Sequence, residues 1–238
     1  MNPAIVILSP HLDDAVLSCW RVLEGPGDVR VVNVFAGVPP PGTVTGWWDR
    51  ASGSGDSARA VRARIEEDRA ALAAVGRQAV NLDFLDAQYR EDGADAAALL
   101  ATVREVVPRP ALVYVPAAFA GGGGERRFPA STTEPHPDHA AVREVGRALR
   151  EDGYETVLYA DLPHASVDGG EAWPACAPQL DGLAPEPHPL TEAEFERKLR
   201  VVRTYRSQLG ALERAFQRPL DDPVLLRHEV VWREPSQG

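Results

Sequence analysis

Six side chains in two short clusters have the types and spacing to do chemistry. His11, Asp13 and Asp14 stand in Ser9-Pro10-His11-Leu12-Asp13-Asp14, and His136, Asp138 and His139 in Glu134-Pro135-His136-Pro137-Asp138-His139. Imidazole and carboxylate together suit divalent cations such as zinc and iron. Two histidines and one carboxylate on such a cation, with a position left open for water, form a known catalytic arrangement. The cation would lower the pKa of its bound water to about 7. Only three donors are needed, so the surplus can fill other roles. One carboxylate can take a proton from the water, and one histidine can stabilise an oxyanion or protonate a leaving amine. Another carboxylate can orient that histidine. Each cluster alone also reads as an ordinary helix start, because Asp favours the N-cap and first turn and Pro the first helical position. Their occurrence together argues for chemistry.

The elements that must position these residues follow from hydrophobic periodicity. Ala4 to Leu8 reads as a short buried strand, and from Ala15 the pattern turns helical through Val16, Leu17 and Trp20. Val29 to Phe35, Val80 to Leu85, Ala111 to Ala117 and Thr156 to Ala160 read as further strands. Helices are expected over Ser57 to Val75, Ala94 to Val107 and Ala140 to Arg150. A long helix is expected from Thr191, with Glu194 completing a capping box, to about Leu209. Arg64 and Glu67, three apart, read as a solvated ion pair on a helix surface. Gly37 to Gly55 carries Trp47 and Trp48 but is too punctuated for a regular element; it reads as a loop that folds over something or anchors locally. The glycines at 121–124 lack phosphate-loop spacing and read as a mobile hinge or a disordered stretch of the long 119–135 loop. Alternating strands and helices predict one α/β domain over 1–238: a mostly parallel sheet with helices on both faces and an irregular C-terminal third. In such a sheet both clusters follow strands and so reach one rim, where ligands bind.

Composition narrows the partners. The formal net charge is -10, with 25 Lys+Arg against 35 Asp+Glu, which argues against a general nucleic-acid binder. Lys198 is the single lysine, so anion contacts would be made by forked guanidinium groups. Cys19 and Cys176 make neither a disulfide framework nor a zinc knuckle. The first apolar run is too short for a signal peptide or membrane span, and no other segment is long enough to cross a bilayer; a cytoplasmic protein is expected.

The paired motifs resemble those of the LmbE-like, or PIG-L, zinc-dependent de-N-acetylases, whose first motif is HPDD and second HxDH. The resemblance continues through Arg64 and Glu67, Asp86 to Arg90, Tyr205-Arg206-Ser207-Gln208 and Glu229 to Arg233, in the family's order. It implies a Rossmann-like α/β sheet, and that His11, Asp14 and His139 bind Zn2+, other first-row divalent ions being acceptable to the same donors. It implies that zinc-bound hydroxide is the nucleophile and Asp13 its general base. His136 would stabilise the oxyanion and protonate the amine, Asp138 would orient His136, and Arg64 and Asp86 would contact substrate. The implied reaction is hydrolysis of an N-acyl amide, foremost an N-acetyl group on an amino sugar or glycosylated small molecule. Leu12, Ala15 and Trp20 depart from the family's usual proline, glutamate and glycine. Two other readings remain open here: an amidase acting on a larger conjugate, and a non-catalytic Rossmann-type binder of a nucleotide or other small molecule.

Overall fold

The computed structural model describes residues 3–119, 135–162, 165, 180–216 and 218–233. In chain order these form β1 (Ala4–Ser9), α1 (Asp14–Ser18), α2 (Trp20–Glu24), β2 (Val29–Asn33), α3 (Trp47–Ala51), α4 (Ser57–Ala73) and β3 (Ala79–Asn81). There follow α5 (Ala96–Val106), β4 (Ala111–Pro116), α6 (Pro137–Glu151), β5 (Glu155–Tyr159) and β6 (Glu186–Pro189). The last elements are α7 (Glu192–Val202), α8 (Leu209–Phe216), α9 (Pro223–Leu226) and β7 (His228–Arg233).

Seven strands make one sheet in the order β3-β2-β1-β4-β5-β7-β6. The five strands from β3 to β5 pair in parallel, and β7 runs antiparallel to both its neighbours. Strand order reverses between β1 and β4: β2 and β3 lie on one side of β1, β4 and β5 on the other. The carboxyl ends of β1 and β4 therefore form the switch point where open α/β sheets bind ligands. One chemistry-bearing cluster follows β1 and runs into α1 at Asp14, and the other opens α6 from its N-cap His136. The expected α/β architecture is the observed one.

The strands are buried because both faces carry helices. Val6, Ile7, Leu8, Val31, Val32, Val113, Val115 and Val157 lie in one continuous core with Trp20, Leu72, Leu99, Leu149 and Trp232. Trp20 is fully enclosed, so its departure from glycine serves the packing of the first helical segment. On α6, Gly146 lets the helix approach β4 closely: a Cβ there would lie 2.4 Å from Val115 Cγ1.

Several elements differ from the sequence expectation. The first helix is interrupted at Cys19, whose φ and ψ of -128° and 35° are not helical. The amides of Trp20 and Arg21, left without intrahelical partners by this break, donate to the Glu229 carboxylate at 2.5 and 3.0 Å. Glu229 comes from β7 and also pairs with the fully enclosed Lys198 at 3.2 Å. The punctuated stretch 37–55 contains a regular element after all, α3, with Gly46 as its N-cap. Strand β3 is three residues rather than six. The helix opened by the Thr191–Glu194 capping box stops at Val202, and α8 starts only at Leu209. The C-terminal third, expected to be irregular, supplies β6, β7 and α7 to α9. No described helix is long and apolar enough to cross a membrane. The expectations for residues 120–134, including the glycines at 121–124, and for Cys176 lie outside the described residues.

Candidate active site

The loop after β1 is held by its own side chains. Ser9 Oγ donates to the His11 carbonyl at 2.6 Å and accepts from the Ala15 amide at 3.1 Å. The His11 amide donates to Asp14 Oδ2 at 2.8 Å, fixing that carboxylate within the turn. Asp13 occupies the N-cap of α1 but makes no side-chain capping bond. The ordinary reason for an aspartate at a helix start is thus absent, and its carboxylate is not spent on the backbone of the first turn. In the loop before α6, His136 is the N-cap, its Nδ1 accepting from the Asp138 amide at 3.3 Å, and Pro137 opens the helix.

These loops bring three donor atoms to one point. His11 Nδ1 lies 3.3 Å from Asp14 Oδ2 and 3.3 Å from His139 Nε2, and His139 Nε2 lies 3.4 Å from Asp14 Oδ2. Donors bound tetrahedrally to zinc at about 2.0–2.1 Å stand roughly 3.3–3.4 Å from one another. The triangle therefore has the size of one face of a zinc tetrahedron, and its N, N, O chemistry suits the ion.

Each histidine of the triangle is backed by a buried carboxylate on its other ring nitrogen, the arrangement that fixes tautomer and ring orientation in metal sites. His139 Nδ1 lies 2.7 Å from Asp161 Oδ2, and His11 Nε2 lies 3.1 Å from Asp138 Oδ2. Asp161 directly follows β5, on the same rim. Its position after a strand was visible in the sequence, but nothing there tied it to His139. The resemblance assigned Asp138 to His136; in the structure Asp138 reaches His136 with its backbone amide and His11 with its carboxylate. His136 lies edge-on to His11, with ring centroids 5.0 Å apart.

Asp86 caps the short 3-10 turn Ala87–Tyr89, accepting from the Gln88 amide and Gln88 Nε2 at 2.9 Å each. Its Oδ2 is 3.9 Å from His11 Nε2. Donors of His11, His136 and His139 lie within 4.8 Å of one another, as do those of His11, Asp86, His136 and Asp138. A cation in the latter group would have to share Asp138 with the Arg90 guanidinium, 2.6 Å from its Oδ1. The triangle on Nδ1 makes no use of Asp138.

Arg64 is not on the surface. It is buried, and its Nη2 donates to Asp49 Oδ1 at 2.5 Å, while Tyr89 Oη donates to Asp49 Oδ2 at 2.7 Å. Glu67 accepts instead from the amide and hydroxyl of Ser207, at 2.8 and 2.7 Å. The expected Arg64–Glu67 pair is thus replaced by two separate tethers, because α4 is covered on this side by α3 and by the turn after α7. Trp48 Nε1 donates to Gln208 Oε1 at 2.5 Å and its amide to Gln88 Oε1 at 3.1 Å, which anchors α3 beside the rim. Asp68, beneath the site, accepts from Tyr205 Oη and Asn33 Nδ2 at 2.7 Å each.

Electrostatically the rim is crowded with carboxylates. Burial, then the neighbouring Asp14 charge, pushes Asp13 up to about 6, against the pull of His11 and Arg64. Asp14 is lowered to about 2: burial opposes ionisation, but His139 and His11 outweigh it. Burial alone would lower His11, yet its hydrogen bonds to Asp138 and Asp14 raise it well above the usual range. Asp138 is held well below the ordinary carboxylate range: its burial penalty is overcome by His11 and His136. A site in which anions impose positive charge on histidines is one that a cation would relieve.

The chain is similar in sequence and fold to known deacetylases. Residues 6–149 match the family described as PIG-L: GlcNAc-PI de-N-acetylase. The chain is 27% identical over 188 residues to a 2'-N-acetylparomamine deacetylase of Niallia circulans, covering 68% of this chain and 67% of that one. It is similar in structure to the A40926 pseudoaglycone deacetylase Dbv21, with a TM-score of 0.70 and 28% identity over 100% of this chain and 99% of that one. A deacetylase of the teicoplanin biosynthesis pathway shares the fold at a TM-score of 0.72 and 24% identity, with 98% of this chain and 100% of that one covered.

Proposed function

The chain belongs to the PIG-L family and is a de-N-acetylase, a hydrolase, and from that premise we propose that it removes the acetyl group from an N-acetylated amino sugar of a glycosylated small molecule. The observation that carries the reading is the triangle of His11, Asp14 and His139 beside an Asp13 carboxylate left out of helix capping. The named substrates of the relatives, N-acetylparomamine and a pseudoaglycone, support the substrate class.

In this reading His11 Nδ1, Asp14 Oδ2 and His139 Nε2 hold a divalent cation, Zn2+ by the match of spacing and donor type. Such an ion, when bound, acts as a Lewis acid that polarises the acyl carbonyl and acidifies water. Asp13 accepts a proton from the attacking water, for which a carboxylate raised to about 6 is well matched near neutral pH. His136 faces the developing oxyanion and delivers a proton to the departing nitrogen, so acetate and a free amine leave. Asp138 and Asp161 keep the rings of His11 and His139 from turning. Arg64 and Asp86, on the rim beside them, contact polar groups of the sugar.

The test measures zinc content and acetate release from N-acetylated aminoglycosides in wild type, Asp13→Asn and His139→Ala. Wild type is expected to carry about one zinc per chain, the number of ligand sets of this type in the site. Asp13→Asn keeps the zinc and loses roughly 10²–10⁴-fold in turnover, as expected for loss of a general base. His139→Ala loses the zinc. Wild-type turnover in Asp13→Asn would overturn the mechanism, and a wild type that takes up no cation would overturn the centre.

A further inference from the structure

We infer that Arg90 is a positioning residue for the cation centre, acting through Asp138 on the ring of His11. The inference rests on the proposed role of His11, Asp14 and His139 as cation ligands, and it concerns a residue that touches none of those donor atoms.

Asp138 is completely enclosed, and a carboxylate removed from water needs both hydrogen bonds and opposite charge. Three groups supply them. The Ala87 amide donates to Oδ2 at 2.9 Å, the His11 ring meets Oδ2 at 3.1 Å, and Arg90 Nη2 donates to Oδ1 at 2.6 Å. The amide is neutral, and a His11 that ligates a cation is neutral in its own right. Among the described residues Arg90 then supplies Asp138 with a permanent charge, beside the titratable His136.

The guanidinium is itself fixed. Arg90 Nη1 donates to the Leu85 carbonyl, and the guanidinium carbon stands 4.8 Å from the centroid of the Phe35 ring, a cation–π contact. Asp86 caps the 3-10 turn that presents both the Ala87 amide and Arg90 to Asp138. One short loop after β3 thus delivers two donors to one carboxylate of α6, which holds one ring from the loop after β1.

The consequence for His11 is geometric. Its bond to Asp138 Oδ2 requires the ring proton on Nε2, and this leaves the Nδ1 lone pair directed toward Asp14 and His139. Without Arg90 the carboxylate loses its fixed charge partner, and the ring loses the support that selects this tautomer and orientation. Lysine cannot reproduce the arrangement. A point charge cannot bond Asp138 and Leu85 in one plane while lying flat on Phe35.

The test is a zinc titration of metal-free protein against a chromogenic chelator, at one pH, for wild type, Arg90→Met, Arg90→Lys, Asp138→Asn and the Arg90→Met/Asp138→Asn double variant. Thermal unfolding of the metal-free forms is followed in parallel. Arg90→Met is expected to bind zinc about 10–100-fold more weakly, the range seen when an outer hydrogen-bond partner of a metal ligand is removed. Arg90→Lys should recover part of that loss. In the Asp138→Asn background the Arg90 change should cost no more than about two-fold, the ordinary scatter of additivity. A merely structural Arg90 would lower the unfolding temperature and leave zinc affinity unchanged, and that result overturns the inference. So does a full, additive loss in the double variant. If Arg90→Met does not fold, Arg90→Lys decides, with unchanged affinity counting against. Wild type that takes up no zinc overturns the centre and this inference with it; wild-type uptake with unaltered variants overturns this inference alone.

Discussion

Asp13 and Asp14 are adjacent aspartates pushed in opposite directions, one up to about 6 and the other down to about 2. Asp14 answers to two histidines, whereas Asp13 meets chiefly its own burial and the charge of Asp14. A base must be ionised to accept a proton, so kcat/KM is expected to rise with pH through the titration of Asp13 and to level above it, the limb falling below the value of about 6 once a cation on Asp14 neutralises the charge that helps to raise it. The residual rate of Asp13→Asn should lack that limb; a limb that persists in the variant would assign it to another group. Residue type and spacing singled out the six side chains of the two clusters, the resemblance added Arg64 and Asp86, and neither tied in Asp161. The sequence did not reveal their pairing. Asp138 joins His11 and Asp161 joins His139 across segments that follow different strands, and Arg64 of α4 joins Asp49 of α3. The three-residue spacing of Arg64 and Glu67 described a helix surface correctly but could not say that α4 is covered there.

Elements with strong periodicity or punctuation were legible: β1, α4, α5, β4, β5 and the capping box of α7 fall where the pattern put them, within a residue or two. The break at Cys19 and the short α3 were not, because each depends on a distant partner. Glu229 satisfies the amides exposed by the break, and Gln88, Gln208 and Arg64 fasten α3. The most sensitive contact between elements is α6 on β4. An exposed helical glycine replaced by alanine gains helix stability by up to about 1 kcal/mol. At Gly146 the sign reverses, because the new methyl would meet Val115 at 2.4 and 2.8 Å, and a buried β-branched side chain has little rotamer freedom to yield. Gly146→Ala is expected to cost about 1–3 kcal/mol in urea unfolding, the usual penalty of overpacking. A neutral or stabilising result would show that α6 is not pressed against the sheet.

At the scale of the molecule, alternation of strands and helices sufficed to name a mostly parallel sheet and to place both clusters at one rim. It could not foresee that β7 would enter the sheet antiparallel, between β5 and β6. A lone strand that follows short helices carries no signal of direction; its slot is decided by what it covers. That insertion sets Glu229 against α2 and against Lys198 of α7, tying the first helices to the last strand. Lys198 is the single lysine of the sequence and has no exposed surface. Amine acylation needs contact with the reagent, so Lys198 can react only in molecules whose α7 and β7 have parted. The peptide bearing Lys198 should stay unmodified in brief labelling of the native protein by an N-hydroxysuccinimide ester. It should become labelled in step with rising urea below the unfolding midpoint, if this seam opens before the rest. Ready labelling in the native state would show the seam already open. One side chain thereby becomes a built-in chemical clock for the breathing of the molecule's C-terminal closure.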